Sequence, residues 1–137
     1  MPPETVSVEW VNDQVFLLKD RHGFPIEMSQ PFGVNGADLL PLSVIGCSVW
    51  DVVAILQKQR QKITALEVFA ESLRDVEPPW RFRKITIRYR ISGRDLNQER
   101  IQKAVELSES KYCSTYATLR GAVEIVSVVE ILPDENG

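Results

Sequence analysis

The sequence predicts a single α+β domain spanning residues 1–137, and three observations carry that prediction. Asp38–Arg60 reads as one helix that is apolar on nearly every face for its first four turns, so it belongs in the middle of a fold. Phe82 opens a run in which Ile85, Ile87, Tyr89 and Ile91 alternate with Lys84, Thr86, Arg88 and Arg90, the period of a strand with one apolar and one basic face. Around these two segments the order of elements is strands, helix, strands, helix, strand.

Taken in order, Val6, Val8 and Trp10 alternate with polar neighbours, and Asn12-Asp13 is turn chemistry before an apolar run at Val15–Leu18. A hairpin follows from that pair. Asp20-Arg21-His22-Gly23 reads as a second turn. A short strand over Phe24–Met28 comes next, and Pro25 confines it to an edge or bulge. Gln30–Ala37, with Pro31, Gly33 and Gly36, is a loop leading into the central helix. Asp38 suits that helix's cap, Pro41 is tolerated in its first turn, and Lys58 and Arg60 suit its negative end. Leu66, Val68 and Ala70 alternate as a further strand, Glu77-Pro-Pro-Trp80 breaks the pattern, and Gly93 closes the long strand. Asp95-Leu-Asn-Gln98 has capping-box form and opens a second helix with Ile101, Ala104, Val105 and Ser108 as its buried stripe. A break and a short helical turn follow around Cys113. Val123–Leu132 is a last strand, and the final five residues are a frayed tail.

The 137 residues fit one domain that buries roughly 68% of its unfolded surface. A net charge of −3 argues against a dedicated nucleic-acid binder. The first residues lack both the basic start and the apolar run of a signal peptide, and Asp51 and Pro41 interrupt the long helix as a membrane span. A cytoplasmic protein with no membrane and no nucleic-acid partner is expected. The single His22 and the two cysteines lack the spacing of a zinc set, and no cofactor or metal is expected.

Chemistry centres on Cys47 and Cys113. Cys47 sits in an apolar helix, where burial keeps a thiol neutral unless a cation or a hydrogen-bond donor reaches it. Cys113 follows Lys111 at a helix start, and both features favour thiolate. The plain alternative is two inert core cysteines. Asp51, one turn after Cys47, either accepts from a nearby donor or orients an arginine, or it is a satisfied buried carboxylate bonded to backbone or Tyr112. The basic face of the long strand is expected to be solvated, with pairing to acidic side chains across a dimer as its alternative. Trp10, Trp50 and Trp80 are expected in a core or interface.

Two motifs carry a resemblance. One runs from Gly36-Ala37-Asp38 through Gly46-Cys47 to Asp51-Val-Val, and the other from Ala104 through Lys111-Tyr112-Cys113-Ser114. Together they resemble the paired cysteine signatures of the OsmC/Ohr family, and the first is similar to its uncharacterised OsmC-like branch. The resemblance covers nearly the whole chain. It implies antiparallel sheets wrapped around two central helices in an intertwined homodimer with two sites at the subunit interface. It further implies a peroxidase of apolar organic hydroperoxides in oxidative-stress defence, with Cys47 peroxidatic and Cys113 resolving. A dithiol reductant of lipoyl or thioredoxin type would regenerate the pair. Asp38 matches the acidic position of the OsmC-like branch, with the helix cap as its alternative role. Arg21, the one arginine before the central helix, is the candidate for the family's cationic partner, with a solvated surface turn as its alternative. Better-known members carry glutamate where this chain has Ala37. That departure favours an alternative, a stress-related protein that holds an apolar ligand with little turnover.

Overall fold

The computed structural model describes residues 2–29 and 32–134. The chain falls into two compact units that join in sequence between Leu40 and Pro41.

The N-terminal unit is an antiparallel meander of β1 (Ser7–Asn12), β2 (Val15–Lys19) and β3 (Pro25–Ser29). Asn12 pairs with Val15 across the expected hairpin, and Pro25 lies in an edge strand, where its missing N–H is tolerated. The β2–β3 turn is shaped by Asp20, whose carboxylate accepts the N–H groups of His22 and Phe24, each at 2.9 Å, with Gly23 at φ 88°. Gln30 and Pro31 of the expected loop lie outside the described residues. From Gly36 to Asp38 that loop becomes a 3-10 turn. Its cap is Asn35, whose side chain accepts the Ala37 N–H at 2.9 Å, and not Asp38. Asp38 instead occupies the first turn, where a carboxylate still faces the positive helix end.

The helix α1 (Leu39–Lys58) carries the chain into the C-terminal unit. It ends at Lys58, and just beyond it Arg60 is held in the left-handed region at φ 58°. There the N–H groups of Arg60 and Gln61 return to the carbonyls of Gln57 and Leu56, which satisfies two orphan acceptors of the last turn. Next come β4 (Lys62–Arg74), β5 (Phe82–Arg94), α2 (Gln98–Leu107), a π-helical turn (Ser108–Tyr112), α3 (Ser114–Leu119) and β6 (Glu124–Leu132). The sheet order is β4-β5-β6. β4 and β5 are antiparallel, but β6 lies parallel to β5, so this sheet is mixed rather than antiparallel as expected. The helical segment between β5 and β6 is long enough to return the chain to the same end of the sheet, which is what a parallel neighbour requires.

Ile85, Ile87, Tyr89 and Ile91 of β5 have no exposed surface, and they form the core with Val44, Val52 and Leu56 of α1 and Ile101, Ala104 and Val105 of α2. Burying each of the larger aliphatic side chains contributes about 1.5–3 kcal/mol. The other face of β5 is basic, as read, and its two arginines are met within the sheet: Arg88 bonds Glu71 at 2.5 Å and approaches Glu130 at 3.5 Å, and Arg90 lies 3.7 Å from Glu130.

Several expectations need correction. Gly93 continues β5 instead of ending it. It sits opposite Ile63 at an irregularity in the ladder, where a Cβ would come within 2.1 Å of the Lys62 carbonyl oxygen. The cap of α2 is Asn97, which accepts the Arg100 N–H at 3.1 Å, while Asp95 occupies a left-handed turn at φ 50°. The helix α1 buries only a stripe, Pro41, Val44, Ser48, Val52 and Leu56, because one sheet offers it one face. Its far side is bare within one chain, with Trp50 at 79% exposure. Trp10 and Trp80 are likewise outside the core. The stretch Gly36–Lys58 is long and apolar enough to cross a bilayer, with mean hydropathy 2.1. Its buried stripe packs instead on β5 and on the segment that carries Cys113. The tail is not wholly loose, since Thr64 donates to Asp134 at 3.0 Å; residues 135–137 lie outside the described residues.

Candidate active site

Cys47 lies on α1 immediately before Ser48 of the buried stripe, which places it at the stripe's edge and half-buried. Cys113 arrives from the other side of the unit. It closes the π-helical turn through its own N–H, donated to the Ser108 carbonyl at 2.8 Å, and it caps α3. An α-helical continuation of α2 would set the residue after that turn at a different angle; the π turn takes up one extra residue. The two cysteines, 66 positions apart by their numbers (113 minus 47), approach to 3.5 Å, both reduced, and their side chains share a hydrogen bond.

The start of α3 treats the two sulfurs differently. Burial by itself pushes the Cys47 thiol up. Hydrogen bonds from the Cys113 side chain, the N–H groups of Thr115 and Ser114, and the Ser114 hydroxyl outweigh burial and hold it below the ordinary cysteine value. The Ser114 oxygen stands 3.9 Å from the Cys47 sulfur. Burial pushes Cys113 up, and the neighbouring Cys47 sulfur pushes in the same direction. The Thr115 side chain and the Tyr116 N–H, 3.4 Å from the sulfur, oppose this without offsetting it. This reverses the expectation that the helix start would favour thiolate at Cys113. That residue is only 2% exposed and takes one amide, while Cys47 takes two. The donors that Cys47 required are therefore supplied by backbone and thiol, and no cation is among the leading causes of its shift. Lys111 is exposed.

Arg21 and Asp38 both belong to the N-terminal unit. Arg21 is half-exposed, forms an ion pair with Glu4 and donates to His22 Nε2 at 3.2 Å. Asp38 lies in the 3-10 turn before α1. Asp51 is half-buried and accepts from the Ser108 hydroxyl at 3.5 Å, so it is neither a bare carboxylate nor bonded to Tyr112 as one reading had it. Among the described residues, no group of three or more histidine, cysteine or acidic side chains has the geometry to hold a metal ion.

Sequence reasoning missed five residues. Ser114 and Thr115 had a signal, because hydroxyl residues directly after a cysteine at a helix start bring their amides to whatever faces that start. Ser48, Tyr89 and Ser108, buried hydroxyls beneath the cysteines, had none beyond polar letters inside apolar stripes.

The α+β chain matches a known family. Residues 29–127 match the model of the OsmC-like protein family, and the chain belongs to that family. It is 36% identical over 128 residues to Protein YhfA of Escherichia coli K12, covering 91% of this chain and 96% of that one. The crystal structure of a hypothetical protein from Aquifex aeolicus superposes with a TM-score of 0.86 at 30% identity, covering 98% of this chain and all of that one. The organic hydroperoxide resistance protein OhrB of Bacillus subtilis shares the fold at a TM-score of 0.61 and 17% identity, covering 92% of this chain and 96% of that one.

Proposed function

We propose that the protein is a cytoplasmic thiol-dependent peroxidase that reduces organic hydroperoxides through Cys47 and Cys113. The observation that carries this reading is the pair of reduced sulfurs 3.5 Å apart with opposite shifts, Cys47 toward thiolate and Cys113 toward thiol. The Cys47 thiolate attacks the outer oxygen of the hydroperoxide, the O–O bond breaks, and the alkoxide leaves as alcohol after taking one proton. Cys47 is then a sulfenic acid. The Cys113 sulfur attacks the Cys47 sulfur, its proton and the sulfenic hydroxyl depart as water, and a disulfide remains. A dithiol partner of lipoyl or thioredoxin type returns both thiols by exchange. The apolar residues around α1 favour an organic over an inorganic peroxide. The bare far side of α1 and exposed Trp10, Val8 and Phe24 of the N-terminal sheet suit cover by a second copy, so the working form is a homodimer. In it, Arg21 and Asp38 are the candidate cationic and acidic partners of the thiol pair.

The test is a thiol count after one equivalent of cumene hydroperoxide. Both thiols disappear together in the wild type, and the one remaining thiol, Cys113, persists when Cys47 is replaced by serine. Thiols that persist in the wild type refute the peroxidase. Ala37 favours the second reading, a stress-related protein that holds an apolar ligand. In the N-terminal unit, Ala37 lines a cleft of about 370 Å3 with Phe16 and Met28.

A further inference from the structure

Three hydroxyl groups lie beneath the sulfurs in an otherwise apolar core. Ser48 is 1% exposed, and Ser108 and Tyr89 are fully buried. A buried hydroxyl costs stability unless it finds partners, and these three find one another. The Ser48 and Tyr89 hydroxyls are in direct hydrogen bond. The Ser108 hydroxyl lies 3.5 Å from the Ser48 hydroxyl and points its proton between the Ser48 carbonyl at 3.3 Å and Asp51 Oδ2 at 3.5 Å. The Ser108 carbonyl accepts the Cys113 N–H at 2.8 Å.

The connectivity is specific. Ser48 is bonded in sequence to Cys47, Ser108 holds the Cys113 backbone, and the two serines hold each other. Tyr89 braces Ser48 from β5, the rigid middle strand of the sheet. None of the three hydroxyls is among the leading causes of the Cys47 shift.

We propose that Ser108 and Tyr89 are positioning residues that set the separation of the two sulfurs and so the rate at which Cys113 captures oxidised Cys47. For the hydroperoxide reaction this rests on the peroxidase reading, but the geometry applies to any oxidation of the pair. Capture needs the Cys113 sulfur aimed along the axis of the bond that breaks, and a misplacement near 1 Å in such a reaction costs about 100-fold. The oxidation of Cys47 itself needs only its thiolate, to which these hydroxyls do not donate directly.

The experiment compares wild type, Ser108→Ala and Tyr89→Phe by two readouts. In the first, reduced protein meets cumene hydroperoxide in the presence of dimedone, which traps sulfenic acid. Expected is disulfide formation slowed about tenfold or more in Ser108→Ala, by more than the slowing of Cys47 oxidation that a weakened Cys113 hydrogen bond brings, so that dimedone adduct accumulates. In the second, each protein is equilibrated with dithiothreitol and its disulfide, with no peroxide present. Expected is a shift toward the dithiol form by about tenfold in the equilibrium constant, since two less firmly aimed thiols have a lower effective concentration toward each other. Variants that melt at a lower temperature but keep the wild-type adduct fraction and equilibrium overturn the proposal, because a merely structural role moves stability alone. If Ser108→Ala does not fold, Tyr89→Phe decides by the same readouts. A wild type that keeps both thiols with peroxide refutes the peroxidase, and the dithiothreitol arm then decides the positioning role by itself.

Discussion

Tyr89→Phe makes a quantitative prediction about alkaline stability. Burial pushes the Tyr89 hydroxyl up; the Ser48 hydrogen bond opposes this, the charges of Glu109, Cys113 and Asp51 add to it, and the result is about 12 against an ordinary 10.0. Below pH 10 the tyrosine is neutral in both folded and unfolded chains and contributes no pH dependence. Between pH 10 and about 12 the unfolded chain releases this proton and the folded chain keeps it, so folding weakens as the pH rises. The gap between the two values corresponds to a maximal loss of about 3 kcal/mol. Phenylalanine has no proton to lose. At pH 8 the variant lacks the Ser48 hydrogen bond and is less stable than wild type by about 1 kcal/mol. By pH 12 the order inverts, and the variant is the more stable by roughly 1–2 kcal/mol. Urea unfolding followed by tryptophan fluorescence, at fixed protein concentration and under reducing conditions, measures both differences. Parallel stability curves from pH 8 to 12 would falsify the picture of a buried tyrosine bonded only to buried hydroxyls.

Two further outcomes follow from the site and the surface. Iodoacetamide alkylates Cys47 before Cys113, with a pH midpoint below that of ordinary cysteine, and Cys113→Ala moves the Cys47 midpoint upward because a hydrogen-bond donor to its sulfur is gone; peptide mapping after timed alkylation reads both. Trp50→Glu places a charge on the bare side of α1, so sedimentation should find a dimer for wild type and a weakened or monomeric form for the variant, while a wild-type monomer would remove the homodimer from the reading.

The sequence exposed some of this design and hid the rest for identifiable reasons. Alternation over β5 and the stripe Ile101, Ala104, Val105 and Ser108 were legible because each records burial on one face, and all of those residues are buried as read. The succession of strands and helices along the chain was legible, but not the order or sense of the strands in the sheet, since nothing in the Glu124–Leu132 segment reveals that β6 runs parallel to β5. Both helix caps were misplaced for one reason. Asn35 and Asn97 compete with acidic residues two or three positions away, and only backbone angles decide which side chain turns back to the amides. The cysteines were found by letter and motif, but their electrostatics were not. Which sulfur receives which amide depends on the approach of α1 to the start of α3, a contact between segments 67 residues apart.

The asymmetry of the pair constrains how the disulfide is reduced. By leaving-group chemistry alone an external thiolate would attack Cys113 and expel Cys47, the sulfur that better holds negative charge. Access opposes this, because Cys113 is 2% exposed and Cys47 is half-buried. Burial excludes the attacking sulfur altogether, whereas a poorer leaving group only slows the exchange, so attack falls on Cys47 and Cys113 leaves. The resulting mixed disulfide places the reductant on Cys47, and a second thiol of the same reductant then releases Cys47, the good leaving group. A dithiol thus uses both sulfurs in the order their environments favour, while a monothiol needs a second molecule to complete the reduction, so its mixed disulfide persists longer. Cys113→Ser oxidised by peroxide and then given a monothiol should accumulate a mixed disulfide at Cys47, read as an added mass on the peptide that holds it. Cys47→Ser, activated as its Cys113 mixed disulfide under partial denaturation and refolded, should resist the same monothiol. Ready reduction of the Cys113 mixed disulfide by the monothiol would mean that burial does not direct the exchange.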